Sequence, residues 1–524
     1  MPRDLVSIRM YRGILGDCFL LTIKQGGGQR NVLIDCGVLQ NVLSGPAAIA
    51  GLPPAVVQEI GEKALNAIEA GNDRIKRVVE DIADHVKATK RIDLLVITHE
   101  HYDHLSGFCE QDIWKNIQIG ELWMAWTENP DDAQAQALRA RFTKGKQALA
   151  KVAEAAQAMA LDDSLRNALA LSAFVGPPAF ALAEKAKENG RPRSTRDMIE
   201  VMRAKVPPDK IRHLTPGQVL PPGQAFGFKV YVLGPPRDET YLKKDTPSAG
   251  AAKEVYLTRT DEAEVVEAMA TARMTRPLPF SQDVAQNSAP LLPPSEKPFA
   301  GIHLMDRERL QTGKDLRAAV MAAYDNPADG YRKIDDVWTG AAESLALKMD
   351  SDTNNTSLAL GFELPDGRVL LFPGDAQVGN WLSWRNQTYP PKPLKGQPPP
   401  KTIDDILSRV VFYKVGHHGS HNATLREFGL EKMTDPRLTA AIPVVEAVAA
   451  IQGKGKAEAG KGWAMPYGDL FTRLKARTGG RIVKGDGDMA AEIEAFAKKE
   501  GDPDKSFRVK HGPGGLWVEL TCPF

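Results

Sequence analysis

Cysteine is scarce in this chain. Four occur in 524 residues, Cys18, Cys36, Cys109 and Cys522, and none forms a CxxC pair. A disulfide framework is excluded, and free thiols are expected. Charge of one sign is also lacking. Lys and Arg number 67 against 66 Asp and Glu, a formal net charge of +1. No global field draws the chain to nucleic acid or to an anionic membrane. That total leaves room for a local basic groove. No apolar run approaches ~18 residues, so no transmembrane helix is expected. The start, MPRDLVSIRMYRG, runs straight into a strand pattern rather than a secretory signal. The expected location is cytoplasmic. A hydrophobic fraction of 43% against 25% charged excludes disorder as the dominant state. At ~150 residues per domain the length allows three or four units, fewer if one fold carries long insertions.

What is present is an alternation of strands and helices. VSIRMYRG and GDCFLLTIKQ read as strands, GGGQR as a turn and NVLIDCG as a strand, which together predict a hairpin. From about 45 to 91, apolar residues at three-to-four spacing predict helix. The continuous apolar run LLVI predicts a strand covered on both faces. From about 129 to 205, Ala, Lys, Glu and Arg predominate, and Leu138, Phe142, Leu149 and Val152 mark one helix face. GFKVYVLGPP, TSLALGFEL, RVLLFPGD and VVFYKV read as strands. GDLFTRLKAR reads as a helix and GLWVEL as a closing strand. Residues 453–462 are rich in Lys and Gly but lack the GxxxxGK[ST] pattern, so they read as a loop. The expected fold class is α/β, one domain interrupted by insertions.

The central signal is Thr98-His99-Glu100-His101-Tyr102-Asp103-His104, directly after LLVI. Alternate residues of an extended segment point the same way, so His99 and His101 converge on one ion. Asp103 and His104 reach a second ion as the chain turns. Imidazole and carboxylate suit Zn²⁺, with Mn²⁺ or Fe as alternatives. Ten histidines occur in all, and three lie here, which argues against a loop of merely exposed histidines. Two further strand ends carry ligands. Pro373-Gly374-Asp375 follows RVLLF, and Gly416-His417-His418-Gly419-Ser420 follows VVFYKV. Ligands collect outside the carboxyl ends of strands in α/β sheets.

These motifs resemble the metallo-β-lactamase fold superfamily. THEHYDH matches its HxHxDH signature, NVLIDCG its first motif with Asp35, and LLFPGD the motif whose Asp, here Asp375, bridges two metals. GDCFLL, LIDCG, NNTSLAL, LLFPGD and KVGHHGS occur in the order seen in the hydrolase domain of ComEC/Rec2 competence proteins. The resemblance implies an αββα sandwich split into 1–128, 221–236 and 350–524. The largely helical stretch 129–220 and the stretch 237–349 are then insertions. It implies two divalent metal ions, Zn or Mn, held by His99, His101, Asp103, His104, Asp375 and His418. Asp35, Asn354 and Asn355 support them. Two departures stand out. Ser351–Ser357 contains none of the family's additional His, so Asp352, Asn354 or water completes the first position. Met465-Pro466 stands where the competence-type domain has His-Pro. The out-of-register Glu100 favours a hydrolytic over a redox site.

The implied mechanism is attack by a metal-bridging hydroxide oriented by Asp103. His418 is expected as a ligand and His417 as general acid or phosphate contact, with the reverse assignment open. Lys414, Ser420 and His421 are candidate substrate contacts, although a lysine at a strand end is ordinarily solvated. The expected function is a metal-dependent phosphodiesterase or nuclease acting on a phosphate-containing substrate, nucleic acid or nucleotide. Ester, lactone or thioester hydrolysis is the alternative. Behind both stands a non-catalytic interaction protein with a structural metal site. Oligomerisation through the insertions is open, and no membrane partner is expected.

Overall fold

A computed structural model describes residues 4–39, 71–157, 194–224, 226–245, 247, 254–255, 348–391, 399–451, 463–497 and 506–524. The loop 453–462, most of 237–349, the first part of the helix expected from about 45, and the side chains of Leu149 and Val152 lie outside them.

β1 (Leu5–Tyr11) and β2 (Cys18–Gln25) alternate their side chains. Val6, Ile8, Met10, Phe19, Leu21 and Ile23 face one core, while Tyr11, Cys18 and Leu20 face another. Gly26 and Gly27, at φ 57° and 83°, turn the chain into β3 (Gly28–Cys36), closing the hairpin. β4 (Arg91–Val96), β5 (Gln118–Ala125) and β6 (Ile211–Leu214) continue that sheet in parallel. β14 (Arg508–His511) and β15 (Trp517–Pro523) close its other side by antiparallel pairing onto β1. The order of this eight-stranded sheet is β14-β15-β1-β2-β3-β4-β5-β6.

The second sheet has seven strands. β7 (Val219–Leu220), β8 (Lys229–Gly234) and β9 (Ala359–Glu363) pair antiparallel, and β9 pairs antiparallel with β10 (Val369–Phe372). β11 (Val410–Lys414), β12 (Thr439–Ile442) and β13 (Ile482–Lys484) follow β10 in parallel. Both sheets are therefore mixed.

The sheets share an apolar core. Phe372 stands at its centre, with Phe19 of the first sheet at 5.7 Å and Phe362 and Phe412 of its own sheet at 5.8 and 5.2 Å between ring centroids. Edge-to-face contacts of this kind stabilise beyond the area they bury. The outer face of the first sheet is covered by α1 (Gly71–His85), through Ile75, Val78, Val79 and Ile82, and by α4 (Thr195–Arg203). The outer face of the second is covered by α5 (Val378–Ser383) and α6 (Gly468–Thr478), through Trp381, Leu470 and Leu474. The fold is α/β, with two mixed sheets and helices on their outer faces.

One boundary shifts. β6 and β7 lie within the stretch expected as an insertion, 129–220, yet β6 joins one sheet and β7 the other. Their short strand runs escaped notice behind the preceding Ala/Lys pattern. α3 (Ala133–Gln157) is the long helix expected there, with Leu138 packed against Trp126 and Leu242. The four cysteines are free thiols, as expected. No helix among the described residues is long and apolar enough to cross a membrane.

Candidate metal centre

Strands of both sheets end at the site. Asp35 closes β3, the Thr98–His104 loop follows β4, Asp375 follows β10 and His417-His418 follow β11. The loop after β4 is tied to Asp35. The Thr98 N–H donates to Asp35 Oδ1 at 2.8 Å and its hydroxyl to Oδ2 at 2.6 Å. His104 Nδ1 donates to the same Oδ2 at 2.8 Å. Asp35 is fully buried.

Two glycines form the floor. A Cβ on Gly37 would lie 2.3 Å from the Asp103 carbonyl carbon, and one on Gly16 2.6 Å from its oxygen. The Asp17 N–H donates to that oxygen at 3.0 Å, and the Gly37 N–H to Asp17 O at 2.9 Å. Only residues without a side chain let the two hairpin strands approach so closely. The Asp103 backbone is thereby seated in the first turn of α2 (Tyr102–Leu105).

Four buried residues, Asp103, His104, Asp375 and His418, offer ligand atoms within 4.8 Å of one another. His418 Nε2 lies 3.0 Å from Asp103 Oδ2, and His104 Nε2 lies 3.2 Å from Asp375 Oδ2. His418 Nδ1 donates to Pro443 O at 2.8 Å. Both rings thus spend their Nδ1 proton elsewhere and turn Nε2 toward a carboxylate oxygen. Two acceptors at that separation need a proton or a cation between them. Asp103 Oδ1, His104 Nε2 and Asp375 Oδ2 are buried with no regular hydrogen-bond partner. Imidazole and carboxylate donors of this kind could hold a metal ion. His104, Asp17 and Asp35 also converge, but there Asp35 already accepts from the ring.

The electrostatics agree. Burial works against charge on both rings, yet Asp375, Asp103 and Asp17 outweigh it and hold His104 well above the usual histidine range. Burial opposes charge on His418 too, but the Asp103 hydrogen bond and Asp375 raise it. Burial favours the neutral carboxyl of Asp375, but Lys414 and His104 keep it well below its usual range. The cage calls for positive charge.

His99 and His101 are also brought together, with His99 Nε2 at 3.0 Å from His101 Nδ1. Burial pushes His99 well down and His101 to about 3, so both are neutral, as ligands must be. Among the described residues, no third ligand atom stands as close to this pair as in the cage.

The remaining expected residues divide. His417 sits beside the cage at φ 42°, its N–H donating to Asp375 Oδ1 at 3.0 Å. Its Nδ1 meets Ser420 Oγ at 2.9 Å, and burial pushes its pKa down to about 4. A neutral His417 favours the phosphate-contact role expected of it over that of general acid. Lys414, expected as a substrate contact, is 1% exposed. Its ammonium binds Asp375 Oδ1 at 2.7 Å, Gly374 O at 2.9 Å, and Asp17. It lies beneath the site as an internal counter-charge, out of substrate's reach. Ser420 holds His417 and bonds Asn422 Oδ1 at 2.9 Å. His421 is not in the cluster; its ring lies 6.3 Å from that of Tyr467. Asn355 Oδ1 accepts from the N–H groups of Gln377 and Asn380, both at 3.2 Å, bracing the loop after Asp375. Asn354 donates to Asp350 Oδ2 at 3.1 Å. Asp352 is taken by Lys348 at 2.5 Å.

Asp17, Asp350 and Gln377 were missed. Asp17 had a signal, the Gly-Asp before a strand that mirrors Gly374-Asp375. Asp350 had none. No protein-family model and no curated protein matches this chain.

Proposed function

We propose that this chain is a metal-dependent hydrolase of the metallo-β-lactamase type, a phosphodiesterase or nuclease holding two divalent ions. The observation that carries the reading is the convergence of Asp103, His104, Asp375 and His418, with both Nε2 atoms aimed at carboxylate oxygens. Helices on the outer faces of two packed mixed sheets are compatible with the αββα sandwich of that superfamily.

Asp103, His104, Asp375 and His418 would hold one ion, and His99 and His101 with Asp375 the other. Bound divalent ions lower the pKa of water toward neutrality and offset charge on a phosphoryl group. The chain's own residues do the rest. Asp103 orients the nucleophile. Asp35 and Pro443 O fix the two imidazoles that face the carboxylates. Lys414 holds Asp375 ionised from below. His417, kept neutral by burial, faces substrate as a hydrogen-bonding imidazole steered by Ser420. Paired cations suit an anionic phosphodiester better than a neutral bond. A second reading, hydrolysis of a small ester, lactone or thioester, is favoured by the closure of the site. His99, His101, Asp103 and Asp375 are each 1% exposed.

The test is metal content and Mn²⁺- or Zn²⁺-dependent hydrolysis of bis-p-nitrophenyl phosphate on one sample, with Asp103→Ala as control. About two ions per chain and cleavage lost in Asp103→Ala is the expected result. Two ions without phosphodiester cleavage turns the reading to esters and lactones. No bound metal after reconstitution removes the hydrolase reading.

A further inference from the structure

Behind the clustered histidines, the nitrogen turned away from the expected ion meets a defined group. His104 Nδ1 donates to Asp35 at 2.8 Å and His418 Nδ1 to Pro443 O at 2.8 Å. His99 Nδ1 meets Thr98 Oγ1 at 3.0 Å, whose own proton goes to Asp35. The fourth is His101. Its Nδ1 faces His99 Nε2, so its outward nitrogen is Nε2. The carboxylate there is Asp350, with Oδ1 3.8 Å away.

Asp350 is built for this place. It lies on the helical stretch 348–354 and is 7% exposed. Asn354 Nδ2 holds its Oδ2 at 3.1 Å, while Oδ1 is buried with no hydrogen-bond partner among the described residues. Next to it, Met349 packs where a Cβ on Gly145 of α3 would stand, Sδ at 2.5 Å, which fixes the stretch from outside. At 3.8 Å the two groups are neighbours without a hydrogen bond between them.

We infer that Asp350, held by Asn354, accepts the Nε2 proton of His101 and so presents His101 Nδ1 to the first metal ion. Asp350 is thus a positioning residue, not a ligand. The inference rests on the two-ion reading above. A carboxylate behind a ligating imidazole fixes its tautomer and raises its basicity. It would strengthen the position that lacks the family's additional His.

The experiment compares wild type, Asp350→Ala, Asp350→Asn and Asp352→Asn as full chains. Zn²⁺ affinities are measured by chelator competition, and Co²⁺ absorption spectra report ligand geometry. The expected result is two ions in the wild type. Asp350→Ala should bind one of them about 10- to 100-fold more weakly, with an altered Co²⁺ spectrum for that ion only. Asp350→Asn, which keeps the shape, should fall in the same direction by less. Asp352→Asn should match the wild type. If Asp350→Ala does not fold, Asp350→Asn carries the test. Two ions of unchanged affinity and spectrum in the Asp350 variants overturn the role of Asp350 alone. A wild type that binds fewer than two ions overturns it together with the two-ion reading.

Discussion

The two halves of the candidate metal centre are built differently. The cage of Asp103, His104, Asp375 and His418 is assembled from strand ends of both sheets. Behind it stand Asp35, Pro443 O and Lys414, all within the core. Behind the pair His99 and His101 stand Thr98 and the neighbourhood of Asp350. The residue between them, Glu100, is bound from outside by Lys146 of α3 at 3.2 Å and Thr195 of α4 at 2.8 Å. One half is part of the core; the other is shaped by what packs over it. Preorganisation follows from the first arrangement, and adjustability from the second.

The change expected to do most damage strikes both halves. Asp375→Ala removes the shared carboxylate, and both ions and more than about 100-fold of activity should go with it. Metal content and turnover on one sample measure this. Lys414→Met strikes the core half alone. It leaves Asp17 and Asp375 buried without their cation, and should cost the ion-free protein about 3–5 kcal/mol in denaturant unfolding. Added Zn²⁺ should shrink that loss, because an ion binds the folded state and restores positive charge. Asp35→Asn should weaken the cage ion by about 10- to 100-fold while sparing the other, the mirror of the Asp350 variants.

Acidity separates the halves more gently. In the ion-free protein His104 and His418 hold protons above the usual histidine range, whereas His99 and His101 do not. An ion entering the cage must expel protons; one entering at His99 and His101 need not. Retention of the cage ion should therefore climb as pH rises through and above the usual histidine range, with the other ion less affected. Metal content after dialysis at each pH reads both. The smallest effect belongs to Glu100→Gln. Its ion pairs with Lys146 and Arg196 are partly exposed, so the loss in thermal or denaturant stability should stay under about 1 kcal/mol.

Much of this centre was legible from spacing. Three apolar runs, each ending in His or Asp, become strands whose ends meet, β10 and β11 by ladder pairing and β4 by packing of its sheet against theirs. The Gly26-Gly27 hairpin and the closing strand were legible for the same local reason. β6 and β7 were not. Strands of four and two residues carry too little alternation to separate from the helical composition before them.

The sequence by itself determined which residues arrive at the strand ends and what chemistry they offer. Tertiary structure decided which way they turn. His417 and His418 both adopt left-handed backbone, φ 42° and 54°, so the alternation of an extended chain does not hold there. Only the fold assigns His418 to the cage and His417 to its edge. Lys414 looked like a solvated strand end, but the second sheet buries it over Asp17, 397 positions away in sequence (414 − 17). Asp350 sits in no motif and reaches His101 only through packing of the helical stretch 348–354. Local pattern encodes period and ligand type; direction and long-range pairing are set by burial, which no short window of sequence contains.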